Sequence, residues 1–272
     1  GQVHFGSTLG ANSGLVANGG TSMQFDGNVT LGNGNTGTSL TGTSLLNGVA
    51  FSGFDGLTFG SIQLATGASS LNSNGSAIQV GTLSGAQNLT LAPGIAAGGT
   101  DFLGAVSNLG SGIGAALTVS SGVTGQVHFG STLGTNSGVT AAFGTNLRFD
   151  GNVTLGNGDT ASSLGGSVVL DGLTLDAFDG ITANAVTLSS GAVSIQSTAG
   201  NITLGTVDGA EQLNLDSGPA NDSLVLGPVG GSLAPTGLTI NNAATAYFYD
   251  KVTVVGGIQI NNAGNNVAFA GD

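Results

Sequence analysis

The chain has no cysteine, no tryptophan, one methionine, four prolines and only two cationic side chains, Arg148 and Lys251. Without thiols there is no disulfide framework, no thiolate metal site and no cysteine nucleophile. Two cations against fourteen acids leave a formal charge of −12. Such a surface offers nothing to a phosphate backbone or an anionic headgroup, so no nucleic-acid partner is expected. Charged residues are 6% of the total, too few for the polar faces of long amphipathic helices. No apolar run approaches the ~18 residues of a membrane-spanning helix, so no membrane span is expected either. The acids are uneven, three within residues 1–124 and nine within 125–248, which reads as solubility decoration rather than a duplicated site.

What is abundant is repetition. The decapeptide GQVHFGSTLG at Gly1–Gly10 returns letter for letter at Gly125–Gly134, an offset of 124. At that offset Phe25–Thr36 matches Phe149–Thr160 with one difference, Asn35 against Asp159. The FDG of Phe54–Gly56 meets that of Phe178–Gly180, and Ser84–Leu91 meets Asp208–Leu215. The expected organisation is a first repeat over 1–124, a second over 125–245 and the start of a diverged third over 246–272, all cut from a longer chain.

The local unit is an apolar–polar–apolar triplet, such as Val29–Leu31, Leu89–Leu91, Val153–Leu155 and Ile202–Leu204, followed by Gly, Asn or Asp. Alternation puts the outer two residues on one face of a strand, and the turn residues tolerate left-handed backbone. Strands this short are not stable as isolated hairpins. Coiled around a common axis they bury a narrow apolar interior, so the fold class expected is all-β, a parallel β-helix. Six rungs in 124 residues give about 21 residues per rung; at ~4.8 Å per rung a repeat rises roughly 29 Å and the chain roughly 60 Å. The alternative is a string of tandem β-sandwich domains, which use longer strands and more aromatics than the 5% present here.

The stretches Ser84–Gly122 and Asp208–Ala243, with their SGAQNLTL and DGAEQLNL openings and LTV and LTI closings, resemble the repeats of giant bacterial β-strand-repeat surface proteins, similar to filamentous-haemagglutinin-type adhesins and exoproteins. The resemblance covers nearly all of the chain as a style of repeat. It implies export to the cell exterior or surface and a β-helical shaft. Roles in adhesion, surface coating or filament formation would follow, with neighbouring repeats or copies, a host or partner-cell surface, or carbohydrate as partners.

Candidate sites are few. His4 and His128 share one repeat position between apolar neighbours, so their rings should face outward, without the converging ligands a metal needs. In FDG, Phe is expected to point inward while Asp26, Asp150, Asp55 and Asp179 cap backbone N–H groups at the corner. The densest acids include Asp171, Asp176 and Asp179, hard-oxygen candidates for calcium, the only cofactor the sequence suggests. Asp176 and Asp179 are also the pair a β-helix polysaccharide hydrolase or lyase would need. No groove of Arg, Lys and aromatic residues accompanies them, so the chain is expected not to be an enzyme. Six Asn-x-Ser/Thr sequons, at Asn28, Asn74, Asn88, Asn152, Asn201 and Asn221, are close to the roughly five that chance predicts for this composition.

Overall fold

The computed structural model describes residues 1–74, 76–93, 99–122, 125–218 and 222–270. Among these residues there is no helix, and the strands form one parallel β-solenoid of about 12 turns. Every named strand pairing is parallel, which excludes tandem sandwiches of antiparallel hairpins. Among the described residues no helix is long and apolar enough to cross a membrane.

Each turn has three strands, and like strands stack into three columns. The first column runs Val3, Met23, Ser44, Ile62, Leu83, Val106, Leu133, Val153, Leu175, Ile195, Leu215, Ile240, Ile260. The second runs Leu9, Val29, Phe51, Leu71, Leu91, Val119, Ala141, Leu164, Ala183, Leu204, Leu226, Phe248, Phe269. The third includes Leu40, Phe59, Val80, Phe102, Phe129, Phe149, Leu170 and Leu188, and continues through Val207, Val229 and Val252. Nearly all of these side chains are buried, forming one continuous cluster along the axis. Each buried Leu, Val or Phe contributes about 1.5–3 kcal/mol relative to exposure. Aromatic rings at equivalent heights stack: Phe102 on Phe129 at 4.9 Å and Phe129 on Phe149 at 5.0 Å between centroids.

The triplets form as alternation dictates, with Val29–Leu31 and Val153–Leu155 burying their outer residues and exposing Thr30 and Thr154. Longer strands, such as Ser162–Asp171, run through a corner, where Gly165 and Gly166 mark a register shift. Corner glycines are needed where successive turns come closest. A Cβ on Gly81 would run into the carbonyl oxygen of Gly60, one turn away, which any larger residue would displace. Gly172, with φ +60°, makes the left-handed bend after Asp171.

Turns vary from 18 residues, Ser167 to Ala185, to 28 residues, Leu89 to Leu117. The sequence repeat is consequently out of step with the coil. From Val3, the first column passes five more turns to Val106; the chain then crosses the second column at Val119 and reaches the third at Val127. One 124-residue repeat is thus five turns and two faces. The same count leads from Val127 through five turns to Val229, then Leu238 in the first column and Ala246 in the second. The ring pairs Phe5–Phe25, Phe129–Phe149 and Phe248–Phe269, all stacked within 5.4 Å, therefore occupy three different faces.

Candidate functional site

The chemistry-bearing side chains lie on the outside, in ladders that run along the axis. In the first repeat, His4 Nε2 lies 2.6 Å from Asp26 Oδ2. Gln24 Nε2 donates to Asp26 Oδ1 at 2.9 Å, Asn47 Nδ2 donates to the same oxygen at 2.6 Å, and Gln2 Nε2 donates to Gln24 at 3.1 Å. Parallel stacking explains the ladder: His4 pairs with Gln24 on the next turn, and the corner after Phe25 turns Asp26 back toward both. Hydrogen bonds from Gln24, Asn47 and His4, in that order of effect, lower the Asp26 pKa to about 2.

The second repeat builds the equivalent ladder with charge. His128 lies between two carboxylates, Nε2 at 2.8 Å from Asp150 Oδ2 and Nδ1 at 3.3 Å from Asp101 Oδ1. Arg148 Nε donates to Asp150 Oδ1 at 2.7 Å, its Nη2 donates to Asp171, and Ser190 donates to the other oxygen of Asp171. Burial of Asp150 opposes ionisation, but hydrogen bonds from His128 and Arg148 and their charges outweigh it, and its carboxyl sits below the ordinary value. Position by position, Gln24 and Asn47 of the first repeat correspond to Arg148 and Asp171 of the second. A neutral amide pair has become an ion pair. Asp171 is accordingly a member of this ladder rather than loose decoration.

The FDG aspartates do two different jobs. Asp26 and Asp150 bond side chains, contrary to the expected backbone cap, whereas Asp55 Oδ2 accepts from the Gly34 N–H at 3.1 Å. Phe25 and Phe149 are buried, but Phe54 is 40% exposed. The reason is alternation: Phe51 and Gly53 take the inward places of the strand Ala50–Gly53, so the next residue faces out.

The carboxylates suggested for calcium are not gathered at one point. Asp171 is held by Arg148 and Ser190 at the corner leaving the third column. Asp176 sits on the outward row of the first face between Thr154 and Gln196. Asp179 lies at the following corner, where its Oδ2 is buried without a hydrogen-bond partner. Among the described residues no three His, Asp or Glu side chains converge as a metal site would require. Asp176 and Asp179 share no hydrogen bond, and of the two cations Arg148 is committed to its ladder.

Four of the six sequons have a structural origin that composition does not reveal. The Oδ1 atoms of Asn28, Asn152 and Asn201 accept from the N–H groups of Ala50, Thr174 and Ser223 on the next turn, at 2.9, 3.0 and 2.7 Å. Asn88 bonds the loop above it through Ile113 O and Ser111 N. In each case the next residue is inward and apolar and the one after it an outward Thr, so a capping Asn before a strand writes Asn-x-Thr by construction. Asn221 lies outside the described residues. One shallow depression of about 210 Å³ opens on the first face, lined by Gln212, Thr236, Thr239, Ile258 and Gln259 and backbone of Gly237, Leu238, Gly256 and Gly257. Comparison of the chain with protein-family models, with curated proteins and with solved structures finds no match.

Proposed function

We propose that the chain is a structural, non-enzymatic shaft segment of a large bacterial extracellular or cell-surface filament or adhesin. The observation that carries this reading is the run of three stacked columns across both sequence repeats, apolar along the shaft except at Ser44, with Thr100–Phe102 of the first lying on Val127–Phe129 of the second. A coil of this kind gains length by adding turns, each supported by its neighbours. The histidine ladders outside support the same reading, because they bond along the axis from turn to turn. Small residues and few charges coat the remaining surface. Neighbouring repeats or copies in a filament are the partners this architecture suits.

The test is incubation with neutral and acidic polysaccharides while product ends are measured. No degradation is expected. Degradation abolished by Asp176→Ala or Asp179→Ala would make the chain a hydrolase or lyase and overturn the shaft reading.

A carbohydrate-binding adhesin module is the second reading, favoured by the depression around Gln212, Thr239 and Gln259. Amides and hydroxyls there suit sugar hydroxyl groups. Retention on a glycan array that Gln212→Ala removes would support it.

A further inference from the structure

The outward side of the second column differs from the other two faces. Its central row runs Ser70, Thr90, Thr118, Thr140, Ser163, Thr182 and Thr203, one hydroxyl on each of seven successive turns in unbroken register. The residues two places before and two places after each of these are Gly, Ala, Ser or Asn in every case, so the face is flat. No Asp, Glu, Lys, Arg or His occurs in any of these seven five-residue stretches. The acids lie elsewhere, with Asp176 and Asp216 on the first face and Asp101 and Asp208 on the third, and the other described ones at corners. Two of the most exposed apolar side chains border the middle of the second face. Ile113, 73% exposed, precedes the strand Leu117–Val119, and Phe143, 83% exposed, follows Val139–Ala141 on the next turn. The Ile113 loop is pinned: its carbonyl accepts from Asn88 Nδ2 at 2.8 Å, and the Gly114 N–H donates to Asp159 Oδ1 at 2.6 Å.

We propose that two copies of the chain pack side by side through this face, hydroxyl row against hydroxyl row, about a two-fold axis. A shaft of charge −12 repels a second copy wherever acids face each other, and the second face is where they do not. Register favours a second copy over a polysaccharide of unrelated repeat. Both ladders rise by the same ~4.8 Å per turn, so each hydroxyl keeps its partner over all seven turns, whereas a polymer of different repeat drifts out of step. The small flanking residues let the two sheets approach to the ~10 Å of packed β faces. Seven turns, each about five residues wide, give roughly 500 Å² per copy and about 1,000 Å² in all, the least that a specific interface needs. The pairing is therefore weak and concentration-dependent, with Phe143 and Ile113 adding apolar contact at its edges. A two-fold contact closes on itself, so association stops at the dimer. This goes beyond the shaft reading and needs only the coil.

The experiment is sedimentation velocity of the whole chain over a wide concentration range, repeated with Thr182→Asp on this face and Thr58→Asp on the third face. Both are exposed strand positions that pair with no acid on the adjoining turns. A monomer–dimer equilibrium is expected. Thr182→Asp should weaken it at least about tenfold, and Thr58→Asp should leave it unchanged. Added salt should strengthen it by screening the acids of the other faces. Cross-linking gives a second readout through a small replacement. The chain has no cysteine, so Thr140→Cys, in the middle of the row, should be joined into dimers by a short bismaleimide, and Thr58→Cys should not. A chain that stays monomeric, dimerises regardless of Thr182→Asp, or cross-links through position 58 and not 140 overturns the proposal. A monomer retained by a neutral polysaccharide, and released by Thr182→Asp, would assign the face to a sugar and overturn it as well. An unbroken rod imaged for such a monomer would leave the shaft reading standing; absence of a rod would end that reading by itself.

Discussion

Arg148 and Asp171 are bound to each other at the positions where the first repeat carries Gln24 and Asn47, so two substitutions between the repeats answer one another across adjacent turns. Asp171 is the more buried partner, with its side chain 18% exposed. Removing the guanidinium leaves a partly buried carboxylate without its cation. Arg148→Gln alone should cost about 1–2 kcal/mol, whereas Arg148→Gln with Asp171→Asn, which restores the amide pair of the first repeat, should recover most of it. Urea denaturation of the two singles and the double measures the coupling. Additive losses would mean that the pair is not a unit.

The first ladder predicts an acid dependence. Asp26 has a folded pKa near 2, below its unfolded value, so its ionised form binds Gln24, Asn47 and His4 more strongly than the protonated form does. The stabilisation is present above the unfolded carboxylate pKa and is lost as pH falls toward 2. Asp26→Asn should therefore flatten the fall in Tm between about pH 4 and pH 2 relative to the unmodified chain. An unchanged slope would show that the ladder does not hold Asp26 ionised.

Gly81 and Gly134 separate close approach from mere abundance of glycine. A Cβ at Gly81 collides with the Gly60 backbone, while at Gly134 the nearest atom is 3.6 Å away. Gly81→Ala should cost at least about 2 kcal/mol and Gly134→Ala less than about 0.5 kcal/mol, measured by thermal unfolding.

The sequon asparagines can be tested as caps. Asn152→Ala deletes the acceptor for the Thr174 N–H and should cost about 1 kcal/mol. Thr154→Val destroys the same Asn-x-Thr sequence at an exposed strand position and should be nearly neutral. Equal losses would assign the sequon some role other than the cap.

Much of the fold is legible in the chain because period-2 alternation in Val29–Leu31 or Ile202–Leu204 fixes which side chains turn inward, and short strands leave few ways to bury them. The phase of the coil is not legible. It depends on the sum of corner lengths, and turns of 18 and 28 residues look alike until the strands are stacked. That is why about six rungs per repeat resolves into five turns and two faces only once the strands are stacked. The ladder is hidden for the same reason: His4 and Asp26 are 22 residues apart, and adjacency follows only once the turn length is known. A signal did exist, since His128 and Asp150 keep the same separation in the second repeat. Nothing comparable marks Asp171, whose partner, Arg148, replaces Gln24 of the first copy.

Cryo-electron microscopy of the isolated chain tests most directly whether the two repeats form one continuous coil. The predicted image is an unbroken rod with rungs about 4.8 Å apart and no constriction where the first repeat gives way to the second. Two globular beads joined by a waist near residue 124, without that spacing, would contradict it.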